Sequence, residues 1–191
     1  MTAAAALLER DGAEALSFRA VARAAGVSQA APYNHFSGRE ELLATVAEQG
    51  FRALEAAQIA AAERAPSGLA RAISLGMDYV GFAIAHPQTY RLMFGVGVAN
   101  WCTYPAVAEA KHRAFQPLRA VLADYLGEAT PSATLEAAAH AGWALVHGMS
   151  MLRLDGSVAD KPNDLHREFA AMELFASSLE GIRTTAKMPH A

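Results

Sequence analysis

At 191 residues, with 53% hydrophobic and 18% charged side chains, the chain is too apolar to be disordered. A net charge of −3 gives no sign of a strongly basic protein, and no apolar run reaches the roughly 18 residues a transmembrane helix needs. One cysteine, Cys102, excludes an internal disulfide, and MTAAAALLERDG lacks the basic start of a signal peptide, so a cytoplasmic location is expected.

Nearly every segment is alanine-rich with helical periodicity, and none alternates like a half-buried strand. The expected fold class is all-α, with about nine helices. The first covers 2–10, with Leu7 and Leu8 apolar and Gly12 placed to stop it. Ser17 caps a second helix at 18–24, with Phe18, Val21, Ala22 and Ala25 inward. Gly26 supplies a turn, and Ser28 caps a short third helix at 29–35. Pro32 falls at its fourth position, where only the first intrahelical hydrogen bond is lost. Ser37 and Glu40 read as a reciprocal capping box for a long fourth helix reaching residue 64.

Pro66-Ser67-Gly68 is the clearest break in mid-chain. A fifth helix follows, with Leu69, Ile73, Met77, Val80 and Ile84 on one stripe, and ends before Pro87. A short sixth helix spans 88–94. Residues 95–104 form a loop with two glycines and two aromatics. The seventh helix covers 105–126, with a kink expected near Pro117. Thr130 caps the eighth, which starts at Pro131 and runs to 154. A polar loop at 155–163 leads to a ninth helix at 164–182.

Residues 17–36 meet the needs of a helix-turn-helix. Val21 and Ala22 offer a small apolar face, Gly26 tolerates positive φ, and Val27 is expected to lock the two helices together. Ser28, Gln29, Ala30 and Ala31 are small or polar enough for close approach to base edges. Gln29 can pair with adenine and the alanine methyls can touch thymine methyls. Tyr33, Asn34 and His35 offer phosphate donors, and Arg39 stands at the start of the next helix. The local charge works against binding. The first 50 residues carry Arg10, Arg19, Arg23 and Arg39 against Glu9, Asp11, Glu14, Glu40, Glu41 and Glu48.

The combination of Ser17-Phe18-Arg19, Val21-Ala22, Ala25-Gly26-Val27-Ser28, Tyr33-Asn34-His35-Phe36 and Arg39-Glu40-Glu41-Leu42 resembles the N-terminal domain of the tetracycline-repressor (TetR) family. The nine-helix layout extends the likeness, and Trp143…His147-Gly148 is similar to a signature of one group of its C-terminal domains. The resemblance implies a homodimeric repressor that binds a palindromic double-stranded DNA operator and is released by a small-molecule effector. It implies a DNA-binding domain at 1–46 and a ligand-binding and dimerisation domain at 47–191. Ser28, Gln29, Ala30 and Asn34 match base-facing or groove-facing positions. Ser17, Tyr33, His35 and Arg39 match phosphate contacts. Family members carry a longer basic segment before the first helix, whereas this sequence begins almost inside it.

Aromatic, Met and His residues gather in the second half. His86, Tyr90, Met93, Phe94, Trp101, Trp143 and His147 are the candidate ligand-binding residues, although such residues at helical spacing also make ordinary core. The eighth and ninth helices carry apolar stripes wide enough for core and dimer contact. Leu145, Met149, Leu152, Phe169, Met172 and Phe175 are the candidate interface residues, Gly148 permitting close approach. His86, His140, His147 and Cys102 show no paired-ligand spacing, so neither a metal nor a cofactor is expected. No nucleophile–base–orienter set is visible, so an enzyme is not expected. The competing reading is a small-molecule binding protein of the same fold whose head has weak or lost DNA binding.

Overall fold

The computed structural model describes residues 2–95, 103–158 and 164–186. Among them the chain is all-α, with eight α-helices, two short 3-10 helices and no strand. The helices are α1 (Thr2–Asp11), α2 (Phe18–Ala25), α3 (Arg39–Arg64), α4 (Gly68–Ala85), α5 (Pro87–Phe94), α6 (Pro105–Leu126), α7 (Ser132–Leu154) and α8 (His166–Ala186). Trp101 and Cys102, with parts of the loops expected at 95–104 and 155–163, lie outside the described residues.

The third expected helix, 29–35, is not α-helical. It is a 3-10 turn at Ala31–Asn34. Pro32 has no N–H to give the Ser28 carbonyl, which accepts instead from Ala31 N at 3.1 Å. The tighter pattern then continues, with Tyr33 N donating to Ala30 O at 3.1 Å and His35 N to Pro32 O at 3.0 Å.

Packing divides the chain into two compact units, Met1–Ala53 with Ala85–Arg113, and Leu54–Ile84 with Ala114–Ala191. In the first, Leu7, Leu8, Leu16, Val21, Leu42, Val46, Phe51, Tyr90 and Met93 are buried. α5 lies close on α3 because residue 50 is glycine. A Cβ there would come within 2.6 Å of Met93 Sδ and 2.7 Å of Thr89 Cγ2. α5 begins at Pro87, where no N–H is needed. The next two N–H groups, of Gln88 and Thr89, donate to the Glu9 carboxylate at 3.2 and 2.8 Å. One helix thus supplies the cap of another.

The capping partner of Ser37 is Glu41, not Glu40. Glu41 Oε2 accepts from Ser37 N at 2.7 Å and from Ser37 Oγ at 2.6 Å. α3 starts at Arg39, which makes residue 41 the third helical position, and that position is the one able to reach back. These bonds from Ser37 hold the Glu41 carboxyl below its ordinary range.

In the second unit Leu122, Leu126, Ala138, Ala139 and Leu179 form one core cluster, with Phe115, Leu118 and Phe175 packed against it. A second cluster joins Ala61, Ala72, Leu75 and Val121. The buried residues of α4 are Ala72, Leu75, Gly76, Tyr79, Val80, Phe82 and Ala83; of the expected stripe, Val80 is buried and Leu69 packs against the first cluster, while Ile73, Met77 and Ile84 are only partly buried. That helix is apolar nearly all round, so periodicity alone does not select its face. Gln58 is buried and donates from Nε2 to Leu75 O at 2.9 Å. α6 continues across Pro117. Thr130 does not cap α7: its hydroxyl donates back to Leu126 O at 3.1 Å, and Pro131 takes the capping position.

Candidate functional site

The head is built around α2 and the turn that follows. Ser17 Oγ accepts from Ala20 N at 3.2 Å and caps α2, as the sequence leads one to expect. Gly26 ends the helix at φ 67°, in the left-handed region. Val27 N donates to Ala22 O at 3.1 Å and Gly26 N to Arg23 O at 3.3 Å, the two bonds that satisfy the last carbonyls of a helix. This left-handed step redirects the chain into the 28–35 segment.

Val27 does not lock the head, being 50% exposed. An aromatic cluster does so. The Phe18 ring meets Tyr33 edge-on at 4.7 Å and lies 6.1 Å from Phe36, while Pro32 is buried beneath the turn. Tyr33 is nevertheless 69% exposed. Ser28, Gln29, Ala30, Asn34 and His35 are also exposed, so the side chains expected to meet DNA share one solvent-facing segment.

Arg39 is bonded within the head. Its Nε donates to Leu16 O at 2.9 Å and its Nη2 to Ala13 O at 2.7 Å, with Glu14 Oε2 3.8 Å away. One of the two forked edges of the guanidinium, Nε with Nη2, is thereby occupied by backbone. Arg10 is engaged too, donating from Nε and Nη2 to Asp11 at 2.8 and 2.6 Å.

The candidate ligand residues fall in different units. In the first, His86 is exposed at the start of α5, while Tyr90 and Met93 are fully buried. Phe94 packs 5.3 Å from Phe51 and 4.8 Å from Tyr90. In the second, Trp143 and His147 share a face of α7, with ring centroids 6.1 Å apart. Trp143 Nε1 donates to Tyr79 Oη at 3.2 Å, and Phe115 packs 5.8 Å from Trp143 and 5.5 Å from His140. Among the described residues no cluster of three or more His, Cys, Asp or Glu side chains is placed to hold a metal ion.

Comparison with known proteins agrees with this layout. A family profile described as "Bacterial regulatory proteins, tetR family" matches residues 1–46. A second, described as "Tetracyclin repressor-like, C-terminal domain", matches residues 72–174, more than half of the chain. The chain belongs to the tetracycline-repressor family. A Rhodococcus sp. RHA1 structure of unknown function is 32% identical, with 95% of this chain and 90% of that one covered and a TM-score of 0.71. The TetR-family regulator PfmR of Thermus thermophilus is similar in fold, at 20% identity, coverage of 95% of both chains and a TM-score of 0.60. So is an Acinetobacter baumannii AYE TetR variant solved in complex with minocycline, at 18% identity, coverage of 96% and 92% and a TM-score of 0.56. No protein with a curated description matches the chain.

In this TetR-family chain the candidate dimer residues differ in exposure. Leu152 and Phe169 are exposed, whereas Leu145, Met149 and Phe175 are partly buried. Met172, only 2% exposed, turns its thioether into its own subunit's core, where a Cβ on Gly76 would collide with its Cε and Sδ. Phe175 covers Gly142 in the same way, at 3.0 Å. Leu174, unassigned from the sequence because it falls off the apolar stripe of α8, is 75% exposed. A small groove of about 130 Å³ in the first unit is lined by Arg39, Leu43, Gln88, Arg91 and neighbours. It is smaller than the ~300–1,000 Å³ common for ligand pockets, so it does not answer to an effector site. Among the described residues no helix is long and apolar enough to cross a membrane.

Proposed function

We propose that this TetR-family regulator is a homodimeric repressor that leaves a palindromic operator when a small molecule binds its C-terminal part. The division expected at 1–46 and 47–191 then separates DNA reading from sensing. The observation that carries the reading is the exposed Ser28–His35 segment, held in place by Phe18, Tyr33 and Phe36. It combines a long amide (Gln29), small residues and several donors, a mixture suited to a major groove. Two heads held one helical turn apart, about 34–36 Å, would meet successive half-sites. The effector must bind one geometry of the dimer better than the other, since equal affinity shifts nothing. Within the second unit, ligand contacts are assigned to Trp143 and His147, which share a face of α7. A mobility-shift assay at low salt on the DNA flanking its own gene tests the proposal. Absence of sequence-specific binding there overturns it.

A second reading, a ligand-binding protein with little DNA affinity, is favoured by one feature. Carboxylates outnumber arginines in the first 50 residues, and Arg10 and Arg39 are already engaged. Tight small-molecule binding without operator binding would establish it.

A further inference from the structure

The head must neutralise phosphates with very few cations. Of its four arginines in the first 50 residues, Arg10 is paired with Asp11 and Arg39 grips the carbonyls of Ala13 and Leu16. Arg19 and Arg23 are exposed, and four residues apart on α2 they share one flank of that helix. The contact between Phe18 and Tyr33 brings the first turn of α2 against the Ala31–Asn34 turn. Arg19 is the immediate neighbour of Phe18, and Arg23 lies one turn on, beside the left-handed Gly26.

We infer that Arg19 and Arg23 supply the cationic contacts to the DNA backbone, and that Arg39 is a positioning residue that holds the Ala13–Leu16 connection to α3. The inference rests on the DNA-binding reading above and names which charges carry it. Arg39 keeps its charge, but one of its two forked edges, Nε with Nη2, already makes two bonds to carbonyls and ties the side chain to the Ala13–Leu16 connection. Arg19 and Arg23 each present a guanidinium that makes no ion pair among the described residues of the head.

The two roles separate in the salt dependence of binding. Each neutralised phosphate contributes about 0.9 to the slope of log K against log salt. Two such contacts in each protomer of a dimer amount to a slope change of about 3.6. Binding to a duplex carrying the DNA flanking its own gene, and to one of unrelated sequence, is measured across a salt series. The variants are Arg19→Gln with Arg23→Gln, the corresponding double lysine variant, and Arg39→Gln, each checked for helicity and melting temperature. The expected result is a slope shallower by about 3.6 in the double glutamine variant. The double lysine variant regains the slope. Arg39→Gln melts lower but, measured below its melting point, keeps the wild-type slope. An unchanged slope in the double glutamine variant overturns the inference, as does an equal loss in Arg39→Gln. A wild-type protein that binds neither duplex overturns the DNA-binding reading itself, and this assignment with it.

Discussion

Arg153, near the end of α7, and Glu168, in the first turn of α8, are joined by two bonds, Nε to Oε1 at 2.5 Å and Nη2 to Oε2 at 3.1 Å. Their side chains are only 6% and 4% exposed. Arg153 Nη2 also donates to the Asp164 carbonyl, so the pair ties the α7–α8 connection to both helices. Each charge also suits its helix end, a cation near a C-terminus and an anion near an N-terminus. Glu168→Ala removes the carboxylate that makes both of these bonds to the buried Arg153. Unfolding in urea should become easier by about 3–5 kcal/mol.

The same pair predicts an acid response. The hydrogen bond from Arg153 holds the Glu168 carboxyl below its ordinary value of 4.5, against the burial that pushes it up. A lowered folded pKa gives stability that is fully present above the unfolded value and is lost as pH falls through the folded one. The urea midpoint should therefore fall on acidification below about pH 4.5. Glu168→Gln, which does not titrate, should show a shallower fall. Equal pH profiles for the two proteins would contradict the assignment.

Two glycine substitutions should act with opposite sign. Gly50→Ala drives a methyl against Met93 and Thr89 where α5 crosses α3, an overpacking that costs about 1–3 kcal/mol. Gly181→Ala, in α8, meets no atom of another element within 4 Å among the described residues and gains helix propensity, about 0.5–1 kcal/mol. Melting temperatures of the two variants, falling for the first and rising for the second, check both.

Glu9→Ala removes the acceptor for the first free N–H groups of α5. The loss should cost about 1 kcal/mol and appear as faster hydrogen exchange at the amides of Gln88 and Thr89. Glu9→Gln keeps one carbonyl acceptor and should fall between the two.

A charge at Phe169, exposed on α8, should break the proposed dimer and abolish operator binding as fully as Tyr33→Ala. Size exclusion and mobility shift on Phe169→Asp test both halves. A variant that remains dimeric and binds normally refutes the dependence of the head on α7 and α8.

The layout of helices is legible in the sequence because glycine, proline and serine punctuate it. Ser17 caps where expected, and Gly26 turns left-handed where expected. Single-residue features are harder to read. Whether Glu40 or Glu41 reaches back to Ser37 depends on a start shifted by one residue, which composition does not encode. Pro32 looks tolerable in an α-helix, but with Ser28 left to pair with Ala31 the shorter bonding pattern wins. The anchoring of Arg39 is hidden for a deeper reason: its partners are the backbone carbonyls of Ala13 and Leu16, and a carbonyl has no signature in sequence. Met172 sits on the same apolar stripe as Phe169, and only its contact with Gly76 assigns it to the interior.

The shortness of the turn after Gly26 bears on how much DNA text one head can distinguish. The stretch that carries the base-facing side chains, Ser28 to Asn34, holds seven residues, the last four in the 3-10 turn. At about 2.0 Å per residue it extends about 14 Å, the length of about four stacked base pairs at about 3.4 Å each. A head that docks by this turn has a vocabulary of a few letters, and symmetry repeats that word rather than lengthening it. Operators of such a regulator should therefore form a loose consensus, with the spacing between half-sites more strictly kept than their spelling.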